Sequence, residues 1–178
     1  MNAAYVHLLL NHIPLIALPT ALLFLIHSLR TKNVLSRRFA LLILGIAAIT
    51  VVPVYFSGEG AEELIENLAD VSKSVIHEHE EAAEVSLVLT LVAGAFAFGT
   101  LVLERVWRRA SIGEELLDQR MFRLGMVLSL LVMVATGSLG VAAHLGGEIR
   151  HPEVRPGFVG QVEDYAAPRQ GERRHDDD

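Results

Sequence analysis

Apolar residues along the chain are gathered into four uninterrupted blocks and are not spaced at the intervals of an amphipathic helix or strand. The blocks predict spans at residues 5–29, 39–56, 85–103 and 124–143, the first of which begins with a short polar preface. Crossing about 30 Å of hydrocarbon takes ~20 helical residues, so each block has the length of one transmembrane helix. Because every backbone group must pair within its own segment there, the pattern predicts an all-α, integral membrane, up-and-down four-helix bundle.

The segments outside the spans have their own patterns. Residues 57–84 place apolar side chains at helical spacing, at Leu64, Leu68, Val71 and Val75. This spacing predicts a short amphipathic lid helix on the outer membrane surface. The pair Gly146 and Gly147 predicts a break in the last helix. Residues 1–155 should form the transmembrane domain, and residues 156–178, rich in mixed charge, an irregular extramembrane tail.

Basic residues are distributed unevenly over the loops. Those outside the tail concentrate in the first and third loops: Arg30, Lys32, Arg37, Arg38, Arg105, Arg108, Arg109, Arg120 and Arg123. The 57–84 loop has only Lys73 as a strong base. The positive-inside rule therefore predicts a multi-pass protein of the bacterial inner (cytoplasmic) membrane, with the 57–84 loop and both termini in the periplasm.

The chain contains no cysteine. Disulfides, iron–sulfur clusters and the Cys-x-x-Cys-His attachment of c-type haem are therefore excluded, and a cofactor must be held by histidine, carboxylate or packing. No nucleotide-binding glycine loop is visible, and nucleic acid is not among the expected partners.

Histidines concentrate at one membrane face. Six of the eight fall at the predicted outer ends of three helices: His7, His12, His77, His79, His144 and His151. A single histidine at an interface is ordinary, but ionisable groups at membrane level are costly unless they have partners, so the set suggests a functional site. His27 and His175 lie apart from the set, and we interpret them as structural.

One chemistry that fits this set is b-type haem, which two imidazoles from different helices hold axially. His12 and His79 are the first axial pair, and His7 and His151 are either a second pair or groups that support the first. His79 is favoured over His77 because small residues lie on its nearby turns, whereas the two rings diverge around the helix. Arg150 and Arg155 are suitably placed for the haem propionates.

The second chemistry is a non-haem site of mixed imidazole and carboxylate ligands, which zinc, copper or iron would accept. Its carboxylates would come from Glu59, Glu62, Glu63 and the glutamates of residues 78–84, Glu80 among them. The alternative to a metal site is that these glutamates form a solvated helix face, where the helix dipole favours them.

Four short motifs occur together: HLLLNHIP (residues 7–14), PVYFSGEGAEE (53–63), HEEAAE (79–84) and GGEIRHPE (146–153). With them, residues 1–155 resemble an uncharacterised family of small bacterial four-helix membrane proteins. The chain is more distantly similar to an uncharacterised membrane domain family suspected of binding b-type haem. The resemblance implies importance for seven positions, whereas His77 and His144 look less typical; the seven are His7, Asn11, His12, Glu59, His79, Glu80 and His151. It implies no reaction.

The expected function is that of a redox subunit more than a stand-alone enzyme. A haem b near the outer face would pass electrons between a membrane or quinol donor and an outer redox protein, within a larger membrane complex. The alternatives are a non-haem metal-binding membrane protein and a cofactor-free structural subunit of a complex.

Overall fold

The computed structural model describes residues 2–67 and 71–155, and these are almost entirely helical. The helices are α1 (Ala3–Leu10), α2 (His12–Thr31), α3 (Val34–Ile65), α4 (Lys73–Arg109) and α5 (Glu114–Arg150), followed by a 3₁₀ turn at Pro152–Val154. α1 and α2 together form the first of four long helical rods, and no described residue belongs to a strand. The all-α four-helix bundle predicted from the sequence is confirmed.

The four rods close into a ring. α2 packs against α3 and α5, α4 packs against α3 and α5, and α1 lies against α3. The centre is filled by fully buried aliphatic side chains such as Leu18, Leu44 and Leu128. Large apolar side chains also cover the outside, where Ile49 is 74% exposed and Phe98 is 70% exposed.

An apolar exterior on this scale is unfavourable in water and suits contact with lipid. All four rods are long and apolar enough to cross a membrane. Residues 39–56 and 85–103 are the apolar spans of α3 and α4. If the predicted spans hold, residues 57–65 of α3 and 73–84 of α4 extend past the hydrocarbon.

A break separates α1 from α2 at Asn11. Pro14 has no N–H to donate to the carbonyl of Leu10, four residues earlier, so the helical ladder is interrupted at this position. The backbone N–H of Asn11 still bonds to the carbonyl of His7 at 2.9 Å. The backbone of Asn11 itself stays helical (φ −59°, ψ −26°), and α1 packs against α3.

The bundle has two chemically different ends. We call the end formed by α1, the last turns of α3, the first turns of α4 and the last turns of α5 the histidine end. We call the opposite end, where α2 meets α3 and α4 meets α5, the arginine end. At the arginine end, Lys32 adopts a left-handed conformation (φ 54°), and the side chain of Asn33 caps α3 by accepting from Ser36 N at 3.0 Å.

Two details of the histidine end differ from the sequence-based expectations. In the described residues, no separate lid helix is present: Leu64 continues α3, and Val75 belongs to α4. Alanine and glutamate favour the extension of α3, and Gly60 lets that extension lie against Ala3 of α1. The helix α5 does not break at Gly146 and Gly147 but runs to Arg150. Residues 68–70 and the predicted tail, 156–178, lie outside the described residues.

Candidate cofactor site at the histidine end

His7 is fixed by the backbone of α3. Its Nδ1 lies 2.9 Å from the carbonyl oxygen of Val54. A carbonyl can only accept, so Nδ1 carries the proton and donates it, and the lone pair of the neutral ring is on Nε2. The ring also packs against Gly58, where an added Cβ would lie 3.2 Å from its Cε1 and 3.3 Å from its Nδ1. Any larger residue at position 58 would displace the imidazole.

His79 is fixed in the same way by the backbone of α5. Its Nδ1 donates to the carbonyl oxygen of Ala142 at 2.8 Å, and a Cβ at Gly146 would lie 3.1 Å from its Cε1. Burial lowers the pKa of His79, and the nearby His7 acts in the same direction, although the Ala142 hydrogen bond and Glu80 oppose it. The ring is therefore neutral at pH 7, with a free lone pair on Nε2.

The two arrangements repeat one geometry. In each, the accepting carbonyl lies one helical turn before the glycine on which the ring rests: Val54 before Gly58, and Ala142 before Gly146. The two rings are close enough for the charge on His7 to affect the pKa of His79. Histidines that ligate a metal characteristically donate their other N–H to a carbonyl or carboxylate, which fixes the tautomer and raises the basicity of the ligand. Two helices therefore present two such nitrogens in one region.

His12 occupies a different environment. It opens α2 and is exposed, and it makes no hydrogen bond or ion pair with any described residue. Five positions separate it from His7, a rotation of ~140° around a regular helix, so the two rings diverge. His7, and not His12, is the histidine of the first rod that contacts the neighbouring helix backbone.

The remaining histidines of the set face solvent beside glutamates. His77 is 71% exposed and lies near Glu80 and Glu81. The Nε2 atom of His144 is 3.2 Å from Glu148, and the Nδ1 atom of His151 is 2.9 Å from Glu153. These contacts are surface pairs of small energetic value.

The two arginines proposed for propionates lie at the end of α5. Arg155 donates from Nε and Nη2 to the carbonyl oxygen of Glu148 at 2.9 and 2.7 Å. These two bonds hold the segment that follows α5 against the end of the helix. Arg150 is the last residue of α5 and is exposed. Arg150 therefore has the freer side chain of the two.

Carboxyl groups also meet at this end. The carboxyl of Glu62 on α3 lies against the carboxyl of Glu80 on α4, close enough to donate to it when Glu62 is protonated. Burial and the adjacent Glu80 raise the pKa of Glu62 to about 7. Glu59 and Glu63 are exposed. Among residues 2–67 and 71–155, no group of three or more histidines and acidic residues is arranged to hold a metal ion.

One polar atom near His7 lacks a partner. The Oδ1 of Asn11 is buried and accepts no hydrogen bond from the described residues. Buried side-chain oxygens are normally satisfied, so this acceptor is available to a donor from outside the described residues.

The sequence indicated the histidines but not the groups that hold them. Gly58 and Gly146 lie within the quoted motifs, but the sequence suggested a helix break at Gly146 and not a contact with a histidine ring, and Val54 and Ala142 contribute only backbone atoms. No local signal indicates that these four residues hold the rings, because that role depends on how neighbouring helices are aligned.

Comparison with known proteins adds no relative. No family model, no curated protein and no solved structure matches the chain, so the resemblance noted from its motifs stays a prediction.

Proposed function

We propose that this protein is a b-type haem-binding membrane component of an electron-transfer chain, with His7 and His79 as the axial ligands. The observation that carries the proposal is the repeated geometry of the two rings, each of which donates from Nδ1 to a helix carbonyl and keeps Nε2 free. This is the tautomer that an axial histidine requires.

The number of ligands favours haem over a non-haem ion. A zinc, copper or iron site built from side chains takes three or four of them, and no such group is assembled in the part of the chain that the structure describes. A haem needs only two protein ligands because the porphyrin provides the other four. When bound, it supplies one-electron transfer.

The residues of the chain have distinct tasks in this proposal. The carbonyls of Val54 and Ala142 hold the Nδ1 protons and orient the rings. Gly58 and Gly146 permit that close approach. The Oδ1 atom of Asn11, which accepts no hydrogen bond from the described residues, and the exposed side chain of Arg150 are candidates to bind polar groups at the edge of the cofactor.

The biological setting follows from charge. Because bases gather at the arginine end, the histidine end should face outward in a bacterial inner membrane. There it would exchange electrons with a quinol or other membrane donor and with an outer redox protein, as part of a larger complex.

The test is a dithionite-reduced minus oxidised absorption spectrum of the purified protein, with metal analysis of the same sample. We expect a sharp band near ~560 nm, the region of bis-histidine b haem. His7→Gln and His79→Gln should each abolish the band, whereas His12→Gln and His144→Gln should retain it. Stoichiometric zinc, copper or iron without the band would instead identify a non-haem site, and a sample with neither would identify a structural subunit.

Neighbouring glycines provide a matched control. Gly146→Ala should displace the His79 ring and reduce haem occupancy, because the new Cβ would press on the imidazole. At Gly147 a Cβ would meet no described atom within 4 Å, so Gly147→Ala should leave occupancy unchanged. Equal occupancy in the two variants would contradict the role assigned to the His79 contact.

A further inference from the structure

A cleft opens between α2 and α5 at the arginine end. Its volume is about 440 Å³, and Lys32, Arg37, Glu115, Asp118 and Arg123 contribute charged groups to its lining. Leu29 closes one side, where it packs so closely on Gly125 that a Cβ there would come within 3.0 Å of it. The predicted spans 5–29 and 124–143 stop at this cleft, so its depth is that of lipid headgroups.

The charges of the cleft are of both signs and are mostly unpaired. Arg37 forms an ion pair with the buried Glu104 at 3.3 Å. Lys32, Glu115, Asp118 and Arg123 are exposed and form no ion pair with any described residue. Two cations and two anions therefore line one concave surface without forming ion pairs.

Arg37 adds an unsatisfied donor. Its residue surface is 9% exposed, and its Nε is buried with no acceptor among the described residues. A buried guanidinium N–H without a partner is costly, and phosphate oxygens are well suited to satisfy it. An anionic group near Arg37 would remove this penalty.

We propose that this cleft binds a phospholipid with a phosphoethanolamine headgroup. The phosphate would accept from Arg37 and be attracted by Lys32 and Arg123. The primary ammonium would donate to Glu115 and Asp118. The acyl chains would leave the cleft along the apolar surface, where Phe122 is 45% exposed.

Both signs of charge are needed for this choice of lipid. A headgroup with phosphate alone would leave Glu115 and Asp118 without a partner and repelled by it. A choline headgroup carries a positive charge but no N–H, so it cannot donate to the two carboxylates. A primary ammonium has three donors.

The test measures lipid binding by native mass spectrometry after delipidation of the full-length protein. Phosphatidylethanolamine, phosphatidylglycerol and phosphatidylcholine with identical acyl chains are added back one at a time. We expect the ethanolamine lipid to bind roughly fivefold more tightly than the other two, the size expected for one favourable charge contact at a membrane surface. Equal binding of the three lipids would overturn the proposal.

Neighbouring charges give matched controls. Asp118→Asn should reduce the preference for ethanolamine over glycerol, because only the Glu115 carboxylate then remains, whereas Glu114→Gln, one residue from the cleft lining, should keep it. Lys32→Gln should weaken binding of all three lipids, and Arg109→Gln should not. If the Asp118 and Glu114 variants behave alike, the preference does not arise in this cleft and the proposal fails.

A soluble competitor distinguishes lipid from free phosphate compounds. Because the acyl chains add apolar contact, phosphoethanolamine at equimolar concentration should not displace the lipid. Displacement at that ratio would identify a soluble ligand and overturn the assignment to a lipid.

Discussion

Glu62 is a carboxyl whose contact with Glu80 favours its protonated form. Each lies in the last or first turns of a long helix, where the chain leaves the apolar span. Two carboxylates in contact repel each other, so the folded state favours the protonated form of Glu62. For Glu62, burial and Glu80 raise the pKa from 4.5 to about 7.

This shift predicts a pH-dependent stability. A carboxyl with a raised pKa stabilises the folded state fully below its unfolded value and loses that contribution as pH rises through the folded value. The melting temperature should therefore fall between about pH 4.5 and pH 7 through this group. Glu62→Gln keeps an uncharged hydrogen-bonding partner for Glu80, so it should be relatively more stable than wild type above pH 7.

Thermal unfolding in detergent from pH 4.5 to 8 measures the effect. After discounting for solvent screening, the wild-type minus Glu62→Gln difference should change by about 1 kcal/mol, or ~2–4 °C, across this range. His79, whose lowered pKa gives the opposite slope, is present in both proteins and cancels. The Glu63→Gln control alters an exposed neighbour and should retain the wild-type profile. A Glu62→Gln profile parallel to that of wild type would contradict the raised pKa of Glu62.

At the scale of helices, a glycine contact joins the middle of α3 closely to the middle of α4. Gly94 packs directly on Ala48, and a Cβ at position 94 would overlap the Cβ of Ala48. Small residues at such crossings let helix backbones approach closely within a membrane. The close approach brings α3 and α4 together below the histidine end, where they carry Gly58 and His79.

Gly94→Ala should therefore destabilise the bundle. Adding a methylene to a close-packed helix contact costs about 1–3 kcal/mol. In the same helix, a Cβ at Gly99 would meet no described atom within 4 Å. Gly99→Ala should be neutral or stabilising by up to ~1 kcal/mol, because alanine favours the helix. Denaturation of both variants in mixed micelles provides the comparison, and equal stability would contradict this packing.

The spans could be predicted from the sequence because apolar length is a local property of the chain. The helix ends at the histidine end could not, since they depend on neighbouring helices. Gly60 and Gly146 look like helix breakers in a linear reading, yet both lie inside helices, where Ala3 and the His79 ring pack on them. The extra length of α3 and α4 therefore replaces the expected lid.

The candidate site could likewise be predicted only in part from the sequence. Residue type and membrane level pointed to the histidine set, and helical geometry placed His77 and His79 on different faces. The choice between His7 and His12 depends on the break at Asn11 and on the register of α1 against α3. Neither is encoded in the spacing of the histidines themselves.

The whole molecule is an apolar cylinder with chemically different ends. At the arginine end, Glu104 is 3% exposed and lies 3.3 Å from Arg37, 3.4 Å from Arg38 and 3.1 Å from Arg108. Glu104 is the shared partner of all three arginines, so removing its carboxylate would leave the nearly buried Arg37 without a counter-charge. Three arginines surround one glutamate, so this end keeps a net positive charge from the group.

That asymmetry predicts the orientation of the protein in the membrane. Basic loops stay on the cytoplasmic side, so the histidine end should face the periplasm. The chain has no cysteine, so single Glu63→Cys and Arg109→Cys substitutions at exposed positions report the two ends without background labelling. In cells with a permeabilised outer membrane, an impermeant maleimide should label the Glu63→Cys protein at once and the Arg109→Cys protein only after the inner membrane is lysed. The reverse pattern would place the two histidine rings on the cytoplasmic side and exclude an outer redox partner. Labelling of both variants before lysis would show that the bundle does not separate two compartments.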